Sequence, residues 1–179
     1  MYADEGLAGE YTAAGNEIKT YGWKPGGTWG TNPLFMKVGD EYYFYHKDHL
    51  GTPQKMTAVN GAIVWSAKYN SFGEAFVDPG AIVENNLRFP GQYFDGETKL
   101  HYNWFRYYNP QAGRYLRVDP IGLGGGVNIY SFVLNNPNYW IDPYGLFEKN
   151  VVNQLKIVQI DVKRQEYLGQ YIKPRMSLG

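Results

Sequence analysis

The apolar runs of this chain are short and alternate with polar residues, and most are bounded by Gly, Asn, Asp or Pro. Alternation with a period of two is the signature of a half-buried strand, and Gly, Pro and Asn mark where such strands turn. The residue bias agrees. Tyr (17), Phe (9) and Trp (5) favour pleated surfaces, and 22 Gly and 10 Pro supply turns. The chain therefore reads as all-β, built from many short strands.

The stretch EYTAAGNEIKTYGW reads as strand, turn, strand, with Ala14-Gly15-Asn16 at its tip. EYYFYHKDHLGTPQKMTAVNGAIVWSAKYNSFGEAF reads as a meander turning near Leu50–Pro53 and at Asn60-Gly61. Asn-Gly between apolar runs is a strong hairpin signal, because both residues accept positive φ. YFDGETKLHYNWFRYYNPQAGRYLRVD adds hairpins at Asp95-Gly96 and Asn109–Gly113. A loose unit recurs, aromatic, Gly turn, aromatic strand, in Tyr11…Gly15…Tyr21, Val59…Gly61…Tyr69 and Tyr108…Gly113…Tyr115. Such self-similarity suggests an array in which each hairpin covers the next. From Asp119 the texture becomes loop-rich, with a helical turn or short helix expected over Asn128–Asn135. After Leu146 it changes again, to a more charged tail.

A length of 179 residues suits one domain or two small ones. Seventeen basic residues balance seventeen acidic ones, so no electrostatic footprint for nucleic acid is expected. With no cysteine, disulfides, thiol catalysis and cysteine-ligated zinc are excluded. The start, MYADEGLAGE, lacks the basic and apolar regions of a signal peptide, and no apolar stretch has the length of a membrane-spanning helix. The compartment is left open. His46 and His49 would face opposite sides of a strand and have no evident third ligand, so no metal site is expected. Gly122 and Gly124–Gly126 lack the surrounding βαβ unit of a dinucleotide fingerprint. No cofactor is implied.

Three segments carry a family likeness. YHKDHLGTPQKMTAVNGAIVWSAKYNSFGE resembles the D-H-L-G-T-P segment of Rhs and YD-repeat proteins. LRFPGQYFDGETKLHYNWFRYYNPQAGRYLRVDPIGL resembles the Rhs repeat-associated core, and NIYSFVLNNPNYWIDPYGL resembles its close. The likeness covers residues 1–146. It implies an antiparallel hairpin shell segment at 1–118, an inward-curling core with autoprotease character at 119–146, and a variable tail at 147–179. In that family the shell encloses a C-terminal toxin delivered by a secretion or injection machine. The core cuts the toxin free just after its last Asp-Pro-x-Gly-Leu, which on this chain is the bond between Leu146 and Phe147. The resemblance also implies partners: an upstream shell, further copies of the chain, or the delivery machinery.

Two Asp-Pro-x-Gly-Leu elements, at Asp119–Leu123 and Asp142–Leu146, fit that chemistry. Peptide hydrolysis by carboxylates needs two of them close together, so that one keeps a proton while the other takes one from water. The 23 positions between Asp119 and Asp142 include Gly124-Gly125-Gly126, which lets the chain fold back and pair the two loops. Read without the resemblance, both are turn residues, since Asp-Pro often opens a turn. Asp142, four residues before the cut, could instead position the scissile segment, and Asp48, Asp78 and Asp95 are other possible partners. Arg117, close to Asp119, is the expected guanidinium that steadies the pair, with Arg114 second. The tail has a mild basic lean from Lys149, Lys156, Lys163, Arg164, Lys173 and Arg175 but no catalytic cluster. The non-catalytic alternative is a module that adds strands to a larger shell, or an aromatic face that binds carbohydrate.

Overall fold

Asn, Asp and Gly set the course of the chain by fixing its hairpin tips. The structure is a computed structural model; it describes residues 1–146 and the backbone at Lys149–Asn150. Two compact units are present, Met1–Lys149 and Asn150–Gly179, and all of the second after Asn150 falls outside the described residues.

Strands β1 (Tyr2–Ala3) and β2 (Gly6–Leu7) form a short hairpin. A seven-stranded antiparallel sheet follows, its strands in chain order: β3 (Gly9–Tyr11), β4 (Glu17–Trp23), β5 (Pro33–Val38), β6 (Glu41–Lys47), β7 (Pro53–Ala58), β8 (Ile63–Tyr69) and β9 (Ala75–Val77). Four of its tips share one pattern. At Thr12, Asp48, Ala58 and Asn70 the amide donates to the carbonyl four residues on, and the glycine three residues on donates back to that residue's carbonyl. Those glycines, Gly15, Gly51, Gly61 and Gly73, sit at φ 84–98°, where a side chain is strained. Asp48 Oδ1 reinforces its tip by accepting the amides of Leu50, Gly51 and Thr52 at 2.9–3.1 Å. This five-residue tip is the physical unit beneath the loose sequence repeat.

Alternation then sorts the side chains. Tyr21 pairs with Met36, Met36 with Tyr43, Tyr45 with Met56, and Met56 with Trp65, so one face of the sheet carries a continuous apolar row. The chain after β9 returns across that face. Asp78 and Ile82 donate to the carbonyls of Ser66 and Val64, and Leu87 is buried against the row.

A second, four-stranded antiparallel sheet consists of β10 (Tyr93–Phe94), β11 (His101–Asn103), β12 (Arg106–Asn109) and β13 (Arg114–Tyr115). Its core joins Phe89, Tyr108, Tyr115, Phe132 and Val133. The rest of the described chain is loop, apart from single 3-10 turns at Gly122–Gly125 and Val133–Asn135 and the strands β14 (Trp140–Ile141) and β15 (Lys149–Asn150). Of the helical turn or short helix expected over Asn128–Asn135, the structure has only a turn, at Val133–Asn135. Val133, Leu134 and Asn135 have φ of 44°, 52° and 57°, a left-handed course that no right-handed helix shares. Packing overrides propensity here, because Phe132 and Val133 are drawn into the aromatic core. The chain is all-β, and among the described residues no helix is long and apolar enough to cross a membrane.

Candidate active site

Between β11 and β12 the chain reverses in two residues, Trp104 and Phe105. Trp104 lies at φ 53° although neither residue is a turn former. Tertiary packing holds the reversal. The Trp104 ring meets Trp29 edge-on at 4.8 Å and lies 6.4 Å from Tyr144, and the Phe105 amide donates to the Tyr144 carbonyl. The hairpin thereby grips the Asp142–Leu146 turn and aims Asn103 and Arg106 at it.

Asp119 and Asp142, both buried, are brought together on one nitrogen. Arg106 Nη2 lies 2.9 Å from Asp119 Oδ2 and 3.3 Å from Asp142 Oδ2. Its Nε donates to the Gly145 carbonyl at 2.6 Å and its Nη1 to the Ile129 carbonyl at 3.3 Å, so one guanidinium ties both loops. The Arg106 guanidinium carbon lies 3.6 Å from the Tyr115 ring centroid, a cation–π contact in a desolvated setting. A planar fork with several fixed donors suits this position in a way a lysine does not.

Asp142 is the more heavily held carboxylate. Tyr115 donates its hydroxyl to Asp142 Oδ2 at 2.8 Å, and Asn103 Nδ2 donates both to that hydroxyl at 2.8 Å and to the Asp142 carbonyl at 3.0 Å. The Leu146 amide donates to Asp142 Oδ1 at 3.0 Å. Burial pushes the Asp142 carboxyl above the ordinary aspartate range, against Arg106, the Leu146 amide and Tyr115, which pull it down. Burial and the neighbouring Asp142 also raise the Tyr115 hydroxyl, which keeps it a donor. Two like charges and one guanidinium in a dry site form a coupled pair suited to holding one proton between them.

Asp119 takes its place through its own turn, its Oδ1 accepting the Ile121 amide at 3.0 Å and its backbone carbonyl the Gly122 amide at 2.9 Å. Both carboxylates thus do what turn aspartates do and still converge on Arg106. Leu146 is buried, and its carbonyl oxygen faces the same point of the Gly125 backbone as Asp119 Oδ2. Phe147 and the tail lie outside the described residues.

The expected guanidinium is corrected. Arg117 is exposed and Arg114 lies over the Tyr130 ring, whereas the arginine on both carboxylates is Arg106, eleven positions earlier in the chain than Arg117. Nearness in sequence misled, because Val118 and Arg117 leave the sheet while β12 runs beneath the pair. Asp48, Asp78 and Asp95 are each committed to the amides of their own turns. His49 Nε2 lies 2.9 Å from the Asn138 carbonyl, which makes it a tie between loops, and the described residues hold no cluster of three or more metal-ligating side chains. Asn103, Arg106 and Tyr115 are the site residues that sequence reasoning missed. Their signal was parity. A charged residue at position 106, two before an inward aromatic on the same strand, must find a buried partner.

Comparison with known proteins places this geometry in context. A family model described as "RHS protein" matches residues 43–77. The chain is 42% identical over 108 residues to double-stranded DNA deaminase toxin A of Burkholderia cenocepacia, a match covering 58% of this chain and 8% of that protein. It is 44% identical over 111 residues to toxin protein Tse5 of Pseudomonas aeruginosa, covering 61% of this chain and 8% of that protein. The chain therefore spans less than a tenth of the length of these relatives. Among solved structures, the crystal structure of TcdB2-TccC3-Cdc42 contains a chain superposing with a TM-score of 0.56 at 29% identity, over 62% of this chain and 5% of that one.

Proposed function

Starting from the Rhs-family, toxin-associated domain that this chain carries, we propose that it cuts its own backbone once, after Leu146, by an intramolecular aspartic protease mechanism. One observation carries this reading: two buried carboxylates share Arg106 Nη2 while one of them holds the Leu146 amide. Asp119, whose Oδ2 lies on the side of the Leu146 carbonyl, takes a proton from water as the water oxygen bonds to the carbonyl carbon. The proton shared by the pair steadies the developing oxyanion and then passes to the leaving amide nitrogen. The Leu146–Phe147 bond breaks, leaving a carboxyl on Leu146 and an amine on Phe147. Asp142 grips the scissile segment through the Leu146 amide, and Arg106 offsets the charge of the pair. Substrate and catalyst belong to one chain, so effective molarity is high and a sparse apparatus suffices.

In this proposal residues 1–118 add hairpins to an upstream shell, 119–146 carry the two carboxylates, and 147–179 are the released segment. Arg106 and Asn103 place part of the site on the hairpin side of that division. Relatives that are toxins, and a structural neighbour named as a TcdB2-TccC3 complex, support a role beside shell partners and a delivery machine.

The test is the intact mass of the purified chain beside Asp119→Asn and Asp142→Asn, across pH 4 to 8. Two pieces divided at Leu146/Phe147 in the wild type, with both variants whole, are expected. A second reading, a purely structural module, is favoured by the turn hydrogen bonds that each aspartate makes. A wild type that stays whole at every pH, alone and with its shell, selects that reading.

A further inference from the structure

Gly122–Gly126 mixes two kinds of glycine. Gly122 and Gly126 have φ of 59° and 122°, a backbone that L side chains rarely adopt. Gly124 and Gly125 do not, so their backbone is open to any residue. For Gly124 there is also room, since an added Cβ would meet only Ile121 Cδ1, at 4.0 Å. For Gly125 there is none. A Cβ there would lie 2.5 Å from Asp119 Oδ2, 3.0 Å from its Cγ and 3.0 Å from the Leu146 carbonyl oxygen. The requirement at this position is spatial, and the atoms imposing it are the carboxylate and the carbonyl of the proposed reaction.

We propose that Gly125 is a positioning residue: its missing side chain lets Asp119 and the Leu146 carbonyl close on one another to within the reach of a single water. Both oxygens lie within 3.0 Å of one point, and one bridging water spans two hydrogen bonds of about 2.8 Å each. A methyl group at that point pushes the carboxylate and carbonyl apart or lifts the loop from both. The three atoms nearest to the added methyl all belong to Asp119 and Leu146. The inference rests on the self-cleavage reading and specifies which backbone position tunes it.

The experiment follows cleavage of the full chain by intact mass in wild type, Gly125→Ala, Gly124→Ala and Gly126→Ala, with melting temperatures beside each rate. The expected result is a loss of about 100-fold in Gly125→Ala, the cost of a misplacement of about 1 Å. Gly124→Ala should cleave like wild type. Gly126→Ala strains the same loop, but its Cβ meets only Leu134 Cδ2, at 3.7 Å, so it should still cleave. The alkaline limb of the Gly125→Ala rate profile should move to lower pH, because Asp119 is one of the charges that raise Asp142. Equal rates in Gly125→Ala and Gly124→Ala overturn the inference. So does loss of cleavage in Gly126→Ala, which decides the matter even where Gly125→Ala does not fold. A wild type that never cleaves defeats the self-cleavage reading instead and is recognisably a different outcome.

Discussion

Arg106 is buried against two carboxylates at once. Removing its guanidinium takes away the cation that both buried carboxylates contact, and breaking a buried pair in this way costs about 3–5 kcal/mol. Arg106→Met should lower stability by that order in urea unfolding, whereas Arg117→Ala, at an exposed position, should stay within about 0.5 kcal/mol. Equal effects in the two variants would show that the guanidinium on the pair does not matter. The raised Asp142 carboxyl sets the pH dependence of the proposed reaction. In the proposed reaction the pair holds one proton. Because burial raises Asp142, that proton persists above the ordinary aspartate range and is lost as pH rises further, so cleavage should slow toward alkaline pH. Timed intact-mass measurements from pH 4 to 9 check this, and a flat profile would count against a carboxylate mechanism.

Hairpin tips are the elements in which sequence spoke most directly. Gly61→Ala places a Cβ in open space at φ 84°, so its cost is backbone strain alone, about 1–2 kcal/mol. Gly73→Ala should cost more, since its Cβ would also lie 2.5 Å from the Phe89 ring. Urea midpoints of the two variants measure the difference. Tips built on Thr12, Asp48 and Ala58 were legible because the residues that make the turn are also its signals, whereas the matching tip at Asn70 went unread inside its meander. The Trp104-Phe105 reversal was not, because nothing local encodes it. Trp29 and Tyr144, distant in sequence, hold it in place. That one unread turn also hid Arg106, since β12 takes its direction from it. Asp119 and Asp142 were legible as a pair only through the repeated Asp-Pro-x-Gly-Leu, and nothing in that motif named their arginine.

For the molecule as a whole, acid sensitivity should come partly from a residue outside the site. His101 is buried with Nδ1 2.7 Å from Gln92 Oε1, and burial together with Arg88 lowers it to about 3 from an ordinary 6.5. The fold therefore keeps this imidazole neutral, while the unfolded chain protonates it below about pH 6.5. Its contribution is whole above the unfolded value and is lost as pH falls from there toward 3, at up to about 1.4 kcal/mol per pH unit. Melting temperatures at pH 7 and pH 5 should fall further apart in the wild type than in His101→Gln. A His101→Gln variant with the same acid slope would remove His101 from that account. The Asp142–Leu146 turn has a consequence of another kind. In the proposed reaction a reacting carboxylate and the residue it cuts after lie four positions apart, joined by the hydrogen bond from the Leu146 amide to Asp142 Oδ1. Part of the substrate and part of the catalyst would then be inherited as one short segment, so a change of sequence within that turn would alter the bond and a group that cuts it at once.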